Sequence, residues 1–469
     1  MSGEPVAVTA GELAEAAGGR LIGGDGGRVI GGISIDSRTV APGDLFFAIR
    51  GERFDGHAFV GAAFERGAAG VVVSDTAAAA RGPEGAIVVL VDDTTAALQA
   101  LARHVRRASG AKVVAITGSA GKTTTKEIAA EFLSSRYRVF RNKGNLNNHI
   151  GLPLSLLELR GRPEVAVVEL GMNHAGEIRT LVGIAEPDVR VWTNVGDAHM
   201  GFFASADAIA DAKAEILEQA RPADVLVANA DDERVMAHAR RFTAKVVTFG
   251  IDQEADVRAA DVTDHGVDGT SAWLMTNHGE ARIETPLVGR GNLANILAAA
   301  AVALKADVPL AEIVARAATL APAPRRGKVL RLPGGVTVLD DSYNSSPAAL
   351  RRALETLKST TGRARKGAIL GEMLELGDHA IRLHRACGEA AAAAGLAWLV
   401  TVGGAPANAL GEAAVIAGLP AASVRHAATL AEAAEIALSF ARPGDLVLVK
   451  GSRGIGVDRV TDRLEEAFG

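Results

Sequence analysis

The chain has 469 residues, with a hydrophobic content of 48% and a charged content of 22%. These values are ordinary for globular proteins and exclude a wholly disordered chain, and a length of this size predicts two to four domains at roughly 100–200 residues each. The formal net charge is −5 and there is no long basic block, which argues against nucleic acid as the main partner.

The sequence also predicts a cytoplasmic protein without membrane insertion. Its one cysteine, Cys387, cannot form an intrachain disulfide and fits a reducing compartment. The N-terminus lacks the basic region of a secretory signal. No uninterrupted apolar run reaches the roughly 18–20 residues that a membrane span needs.

Residues 1–86 predict a small α/β domain. Thr9 and Glu12 have the spacing of a capping box, so a helix is expected from about residue 10. VIGGISIDSR and DLFFAI predict strands, and AAFERGAAGVVVSD predicts a helix followed by a buried strand. Residues 87–110 are expected to connect this domain to the next through a helix.

Residues 111–322 predict a central domain of the P-loop ATPase type, built on a parallel sheet. The strand candidates alternate with helical stretches, which implies right-handed crossovers. These candidates are KVVAIT, EVAVVEL, DVRVWTNV, DVLVANAD and KVVTFG. Residues 256–288 predict short hairpin strands instead, and GNLANILAAAAVALKA predicts a helix.

Residues 323–469 alternate again and predict a Rossmann-like, doubly wound sheet. PAPRRG makes a plausible boundary because proline interrupts regular structure. The expected fold class is therefore α/β with three domains.

A glycine-rich loop between a strand and a helix predicts a phosphate site. The loop consists of Gly118, Ser119, Ala120, Gly121, Lys122 and Thr123, with Thr124 next in the helix. Glycines let backbone N–H groups approach phosphate, the lysine adds a charge, and the threonine hydroxyl can bind Mg²⁺. Ile116 stands where the common GxxxxGK[ST] pattern needs glycine, which argues against a kinase or a G protein.

Lys213 lies in a predicted amphipathic helix, residues 204–220, on the same stripe as Ile209 and Ile216. Three interpretations stay open from the residues: a lysine whose ammonium reaches water, a charge clamp for phosphate, and a carbamate formed with CO₂. At a pKa near 10.4 only about one lysine in a thousand is neutral near pH 7.4. Burial can lower a lysine pKa by up to about 3–5 units, which favours the reactive neutral amine.

Glu169 ends a predicted parallel strand, where a carboxylate suits a Mg²⁺ ligand. His199 follows another such strand, although a lone histidine is more often structural than a ligand.

The phosphate loop and the segments that follow it resemble the Mur ligases, ATP-dependent amide ligases of peptidoglycan synthesis. The matching segments are NKGNLNNHIGLP, VVELGMNHAGEI, TNVGDAHMGFF, DAKAEI, LDDSYNSSP, AILGEMLELG, LH and GDLVLVKGSR, in that order over nearly the whole chain. DDSYN and GEMLELG are most similar to the branch that adds D-alanyl-D-alanine to a UDP-muramoyl-tripeptide. The Asn-Pro-Arg type motif of the branch that adds the third amino acid is not seen.

The resemblance implies an acyl-phosphate mechanism that uses ATP and two Mg²⁺ sites. A monomer is expected, although the sequence does not give the oligomeric state. It implies catalytic roles for Lys122, His199 and Lys213, and metal binding by Thr123, Glu169, His199 and Lys213 as its carbamate. It implies that ATP is bound by the phosphate loop together with Thr124, Asn292, Asn295, Arg326 and Asp340. Asp341 is the alternative to Asp340. It implies substrate binding by Ser37, Arg38, His57, Asn145, Asn147, Asn148, Tyr343, Asn344 and Pro347.

The chain departs from the family pattern at three places. The family's Gly-Arg-His-Asn has Gly291 in place of histidine, so the role of that side chain is absent or supplied elsewhere. The family's Pro-Gly-Arg-Gly is Pro-Arg-Arg-Gly here, and register favours Arg326 over Arg325 as the phosphate contact once the last domain closes. Asn-Ala-Asn-Pro is Asn-Ser-Ser-Pro, beginning at Asn344.

Two rival functions remain open at this point. One is a sibling amide ligase, either the enzyme that adds diaminopimelate or lysine or folylpolyglutamate synthase. The other is a non-catalytic nucleotide-binding scaffold, which would not need the metal-binding residues. The sequence leaves open whether the third stem residue is diaminopimelate or lysine.

Overall fold

Strands and helices alternate along most of the chain. The computed structural model describes residues 4–197, 200–362 and 365–469. The chain forms two compact units. The first comprises Met1–Ala115, Tyr137–Met172 and Gly176–Asp188, and the second comprises Ile116–Arg136, Asn173–Ala175 and Val189–Gly469.

The N-terminal part folds around a mostly parallel sheet. Its elements are α1 (Ala10–Ala16), β1 (Arg20–Gly23), β2 (Ile33–Ser34), β3 (Leu45–Phe47), α2 (Val60–Glu65), β4 (Gly70–Val73), α3 (Thr76–Ala79), β5 (Ile87–Leu90) and α4 (Thr94–Ser109). The strand order is β1-β5-β4-β3-β2, and only the β1–β5 pair is antiparallel. The capping box of Thr9 and Glu12 begins α1 as predicted.

Strand β5 carries this sheet past residue 86, into the range predicted as a connecting helix. Ile87–Leu90 is an apolar, largely β-branched run that suits a strand, and helix α4 begins only at Thr94. The boundaries at residues 86, 110 and 322 stay predictions.

The middle part contains the predicted alternation and the predicted hairpins. Its elements are β6 (Lys112–Thr117), α5 (Lys122–Leu133), β7 (Val139–Arg141), α6 (Gly151–Leu157), β8 (Val165–Glu169), α7 (Glu177–Ala185), β9 (Val189–Trp192), α8 (Ala206–Ala214), β10 (Val225–Asn229), α9 (Glu233–Ala239), β11 (Lys245–Gly250), β12 (Val257–Asp264), β13 (Thr270–Thr276), β14 (Gly279–Thr285), α10 (Gly289–Lys305) and α11 (Leu310–Ala317). The strand order is β14-β13-β12-β11-β10-β9-β6-β8-β7, and β6 lies partly in each unit. The β12–β13 and β13–β14 pairs are antiparallel, which confirms the hairpin strands.

The C-terminal part is the predicted doubly wound sheet. Its elements are β15 (Lys328–Arg331), β16 (Thr337–Asp340), α12 (Pro347–Ser359), β17 (Arg365–Gly371), α13 (Ala380–Ala393), β18 (Trp398–Val402), α14 (Ala405–Ile416), β19 (Val424–Ala427), α15 (Leu430–Phe440), β20 (Asp445–Lys450) and α16 (Asp458–Phe468). The strand order is β15-β16-β20-β17-β18-β19, and only β15 runs antiparallel to its neighbour. Every residue of the central strand β20 is buried, as expected for a parallel strand covered on both faces.

The helix predicted over residues 204–220 is shorter in the structure. Helix α8 ends at Ala214 and a 3₁₀ turn, Glu215–Leu217, follows. The buried Arg190 side chain donates to the carbonyl of Ile216 at 2.8 Å and pairs with Asp224 at 2.7 Å. These contacts from outside the helix hold the turn, which the local sequence pattern could not reveal.

Among the residues that the structure describes, no helix is both long and apolar enough to cross a membrane.

Candidate functional site

Two glycines of the phosphate loop have backbone conformations and surroundings that other residues could not adopt. Gly118 has φ 149° and Gly121 has φ 85°. A Cβ on Gly118 would lie 1.9 Å from Thr193 Oγ1, and one on Gly121 would lie 2.2 Å from Asn295 Oδ1. The loop therefore packs so closely against its neighbours that only glycine fits at these two positions.

Residues after strand β9 hold the phosphate loop in place. The Ser119 N–H donates to the carbonyl of Asn194, and the Ala120 N–H donates to Asn194 Oδ1, both at 2.9 Å. Thr193 Oγ1 and Asn194 Nδ2 both donate to the carbonyl of Ala120, at 2.7 and 3.0 Å. Neither Thr193 nor Asn194 was singled out from the sequence, although both follow a parallel strand, where ligand sites form in open α/β sheets.

The phosphate loop leads into the N-terminus of α5, a suitable place for an anion. Gly121 is the N-cap residue and offers no side chain to the first turn, whose N–H groups point out of the helix. Lys122 Nζ donates to the carbonyl of Gly118 at 2.8 Å, so its charge lies over the loop. Thr123 and Thr124 are half-buried in the first turn of the helix.

Helix α10 contributes two asparagines beside the loop. Asn295 is buried, and its Oδ1 accepts a hydrogen bond from Thr125 Oγ1 at 3.2 Å. Asn295 Nδ2 donates to Asn292 Oδ1 at 3.4 Å, and Asn292 Nδ2 donates to the carbonyl of Val288 at 2.9 Å. Asn295 thus packs against the loop and helps to position it, a role that the resemblance did not imply.

The two arginines of the PRRG segment have different partners. Arg325 lies 3.4 Å from Asp458 and 3.2 Å from Asp462. The Arg326 guanidinium lies over the Tyr343 ring, 3.8 Å from its centroid. Because the Arg325 charge is already paired with carboxylates, the geometry agrees with the register argument for Arg326 as the phosphate contact.

Two adjacent acids at the end of strand β16, Asp340 and Asp341, have distinct environments. Asp340 is buried and accepts from Ser342 Oγ at 2.5 Å. Burial raises the pKa of Asp340 above its ordinary value, and the Ser342 hydrogen bonds oppose that shift. Asp341 pairs with Lys450 at 2.5 Å, and Lys450 also donates to the carbonyl of Asn344 at 3.0 Å. Asp340 is therefore held by its own turn, and Asp341 is committed to an ion pair.

The predicted acceptor residues form part of the same neighbourhood. The Tyr343 N–H donates to the carbonyl of Arg325 at 3.0 Å, and Asn344 is exposed. Pro347 is buried as the first residue of α12, where its fixed φ favours helix initiation. Tyr343 and Asn344 are accessible to a ligand, whereas the Pro347 ring packs into the fold.

Lys213 is buried at the end of α8, with 1% of its surface exposed. An ammonium that reaches water is therefore ruled out. The phosphate-clamp and carbamate interpretations both remain, because each places the side chain out of bulk water.

Glu169 lies in the first unit, at the end of strand β8, and is buried. The Asn147 side-chain amide donates to Glu169 Oε1 at 2.7 Å, and the Glu169 N–H donates to Asn142 Oδ1 at 3.1 Å. Asn148 Oδ1 accepts from the N–H of Gly151 at 2.8 Å, next to the start of α6. The buried carboxylate is therefore oriented by one of the predicted asparagines, Asn147.

The predicted UDP-side residues are also in the first unit. Arg38 is exposed and pairs with Asp36 at 2.7 Å, which lowers the pKa of Asp36 to about 2. His57 is buried, with Nδ1 2.6 Å from Asp55 and Nε2 accepting the N–H of Ser74 at 2.9 Å. Both ring nitrogens of His57 are therefore engaged within the fold. Exposed Arg38 and half-buried Ser37 remain accessible, and so does exposed Asn145.

His199, predicted as a catalytic and metal-binding residue, lies outside the described residues. Within the described part of the chain, no group of three or more His, Cys, Asp or Glu side chains is arranged to hold a metal ion.

Sequence comparison places this arrangement in a known family. The Mur ligase family profiles match along the chain: "Mur ligase family, catalytic domain" at residues 29–106, "Mur ligase middle domain" at 116–303 and "Mur ligase, glutamate ligase domain" at 325–453. A UDP-N-acetylmuramoyl-tripeptide–D-alanyl-D-alanine ligase from Bacillus subtilis (strain 168) is 34% identical over 435 residues, covering 93% of each chain. The chain belongs to the Mur ligase family.

Solved structures agree with this assignment. A crystal structure of MurF from Acinetobacter baumannii is 31% identical, with a TM-score of 0.88, and the match covers 99% of this chain and 100% of that one. MurF ligase from Thermotoga maritima in complex with ADP is 29% identical, with a TM-score of 0.82, covering 93% and 97% of the two chains. The predicted three-domain α/β fold of this Mur ligase is thereby confirmed.

Proposed function

We propose that this Mur ligase joins D-alanyl-D-alanine to UDP-N-acetylmuramoyl-tripeptide at the expense of ATP. The observation that carries the proposal is the phosphate loop at the start of α5. Thr193, Asn194 and Asn295 hold the backbone of this loop in place beside the helix N-terminus. Similarity to the Bacillus subtilis ligase over 93% of the chain supports the choice of substrates.

The chemistry begins with an unreactive group, because the carboxylate of the tripeptide is a poor acylating agent. Its oxygen attacks the γ-phosphorus of ATP, the bond to ADP breaks, and an acyl phosphate forms. The acceptor amine then attacks the acyl carbon, phosphate leaves, and the amine proton is lost to solvent. Catalysis of such steps depends on positioning and on cations around the phosphates.

The residues of this chain suit that task. The N–H groups at the start of α5 and Lys122 bind the β- and γ-phosphates, and Asn292 faces the nucleotide. Arg326, free of a carboxylate partner among the described residues, adds a second charge at the phosphates. Arg38 and Ser37 bind the UDP part of the substrate.

The donor set also suits Mg²⁺, which prefers oxygen ligands. The Thr123 hydroxyl and the buried Glu169 carboxylate are such donors, and the Asn147 amide fixes the carboxylate. Mg²⁺ held by oxygen donors of this kind would neutralise phosphate charge. Lys213, whose side chain is buried, would supply one more oxygen anion as its carbamate.

Acceptor-dependent ADP release tests the proposal. With ATP, Mg²⁺ and UDP-muramoyl-tripeptide, D-alanyl-D-alanine should stimulate ADP release, whereas diaminopimelate, lysine and glutamate should not. Stimulation by a single amino acid would instead identify a sibling ligase. No ADP release with every substrate present would favour the nucleotide-binding scaffold.

A further inference from the structure

The Tyr343 ring lies close to two guanidinium groups. Arg326 Cζ is 3.8 Å from the ring centroid and Arg453 Cζ is 5.4 Å from it. Arg453 Nη1 also donates to the Tyr343 hydroxyl at 3.2 Å. Tyr343 thus fixes the direction of Arg453, which would otherwise be a freely moving exposed side chain.

The charges around Tyr343 are unevenly compensated. Lys450 is paired with Asp341, and Arg325 is paired with Asp458 and Asp462. In the described part of the chain, no carboxylate pairs with Arg326 or Arg453. Arg326 and Arg453 therefore keep their charge available for an anion from outside the protein.

The loop that carries Arg453 is anchored at its base. Ser452 is buried, its N–H donates to the carbonyl of Glu372 at 3.2 Å, and its Oγ accepts the N–H of Leu374 at 2.9 Å. The Leu374 side chain, which is 40% exposed, approaches Gly454: a Cβ there would lie 2.8 Å from Leu374 Cδ1. An exposed apolar side chain thus lies against the loop that carries Arg453.

This combination matches the acceptor's terminus, a carboxylate next to a methyl group. The proposed reaction brings two anions to this part of the molecule, the ATP phosphates and the carboxylate of the acceptor dipeptide. We infer that Arg453 binds the C-terminal carboxylate of the acceptor, and that Tyr343 positions it. Guanidinium groups recognise carboxylates through two parallel hydrogen bonds. The inference rests on the proposed ligase function.

The test pairs a protein variant with a ligand variant. Arg453→Gln removes the charge from the protein, and D-alanyl-D-alaninamide removes it from the acceptor. Each change alone should raise the KM for the acceptor by roughly 10- to 100-fold, the usual effect of losing a hydrogen bond to a charged group, and leave the KM for ATP unchanged. The two changes combined should raise the KM for the acceptor little more than either change does alone.

Arg459→Gln is the matched control, since Arg459 is an exposed arginine nearby in sequence, in α16. It should keep the wild-type KM for both acceptors. The amide acceptor with wild-type enzyme gives a readout that does not depend on how any variant folds.

Three results would overturn the inference. In the first, the KM for D-alanyl-D-alanine stays unchanged in Arg453→Gln. In the second, the KM for ATP rises instead. In the third, the increases in the acceptor KM caused by the protein change and the ligand change multiply, as for independent effects. Wild-type enzyme that releases no ADP with any acceptor would refute the proposed ligase function itself, a result separate from these three.

Discussion

At the scale of single residues, the phosphate loop depends on what glycine lacks. Gly121 has a left-handed conformation and faces Asn295 Oδ1 at a distance that no Cβ could tolerate. A side chain there must displace either the loop or α10. The loop carries the N–H groups that receive phosphate, and Asn295 of α10 supports the loop.

We predict that Gly121→Ala weakens ATP binding by at least about tenfold, because positive φ and a steric clash both move the loop. Gly444→Ala is the control, since Gly444 has φ 92° and, apart from its chain neighbours, no atom of a described residue lies within 4 Å of its Cβ position. Calorimetric titration with ATP should show loss of affinity only for Gly121→Ala. Equal affinity of both variants and wild type would refute this account of the loop.

Lys213 provides the second test at this scale. If the buried side chain acts as a carbamate, Lys213→Ala should lower ADP release by at least about 100-fold, and short carboxylates such as acetate should restore part of it. Lys305→Ala, at an exposed position on α10, should keep full activity. Full activity of Lys213→Ala, or complete failure of carboxylates to restore activity, would count against the carbamate.

At the scale of elements, His384 joins helix α13 to the loop after strand β17. The ring is fully buried, its Nδ1 lies 2.7 Å from the carbonyl of Ala380, and its Nε2 accepts the N–H of Met373 at 2.9 Å. An acceptor nitrogen must be unprotonated, so the ring is neutral in the folded state. Burial lowers the pKa of His384 below its ordinary 6.5, although Ala380 and Glu372 act in the opposite direction.

This geometry predicts a pH dependence of stability. Below about pH 6.5 the unfolded chain binds a proton at His384 that the folded chain resists, so the free energy of unfolding falls as the pH is lowered, by at most about 1.4 kcal/mol per pH unit. His384→Gln should flatten this fall in chemical denaturation between pH 7 and 5. His278→Gln, at an exposed turn, should keep the wild-type slope. An unchanged slope in His384→Gln would show that another group is responsible.

Sequence patterns captured the elements well where the pattern is local. Hydrophobic runs located the central strands, and Thr9 with Glu12 located the start of α1. Contacts from distant parts of the chain were not predictable: the early end of α8 depends on Arg190, and the extension of the first sheet depends on the pairing of β5 with β1 and β4.

At the scale of the whole molecule, the candidate site likewise combines residues that a local pattern predicts with residues whose role depends on distant contacts. The phosphate-loop residues follow from a short pattern, and the resemblance adds Asn292, Asn295 and Arg326. It does not reveal that Asn194 holds the loop, because that role depends on the placement of the loop beside β9. Nor could it show that Arg453 has no carboxylate partner within the described residues, since this depends on which acids pair with its neighbours.

The central claim is that the chain makes an amide through an acyl phosphate. The most direct test is mass spectrometry of the phosphate released when both oxygens of the terminal carboxylate of the UDP-muramoyl-tripeptide are ¹⁸O and D-alanyl-D-alanine is the acceptor. The account predicts one ¹⁸O atom in each released phosphate, together with the pentapeptide product. Phosphate without ¹⁸O, released at the same rate in the absence of the acceptor, would contradict it.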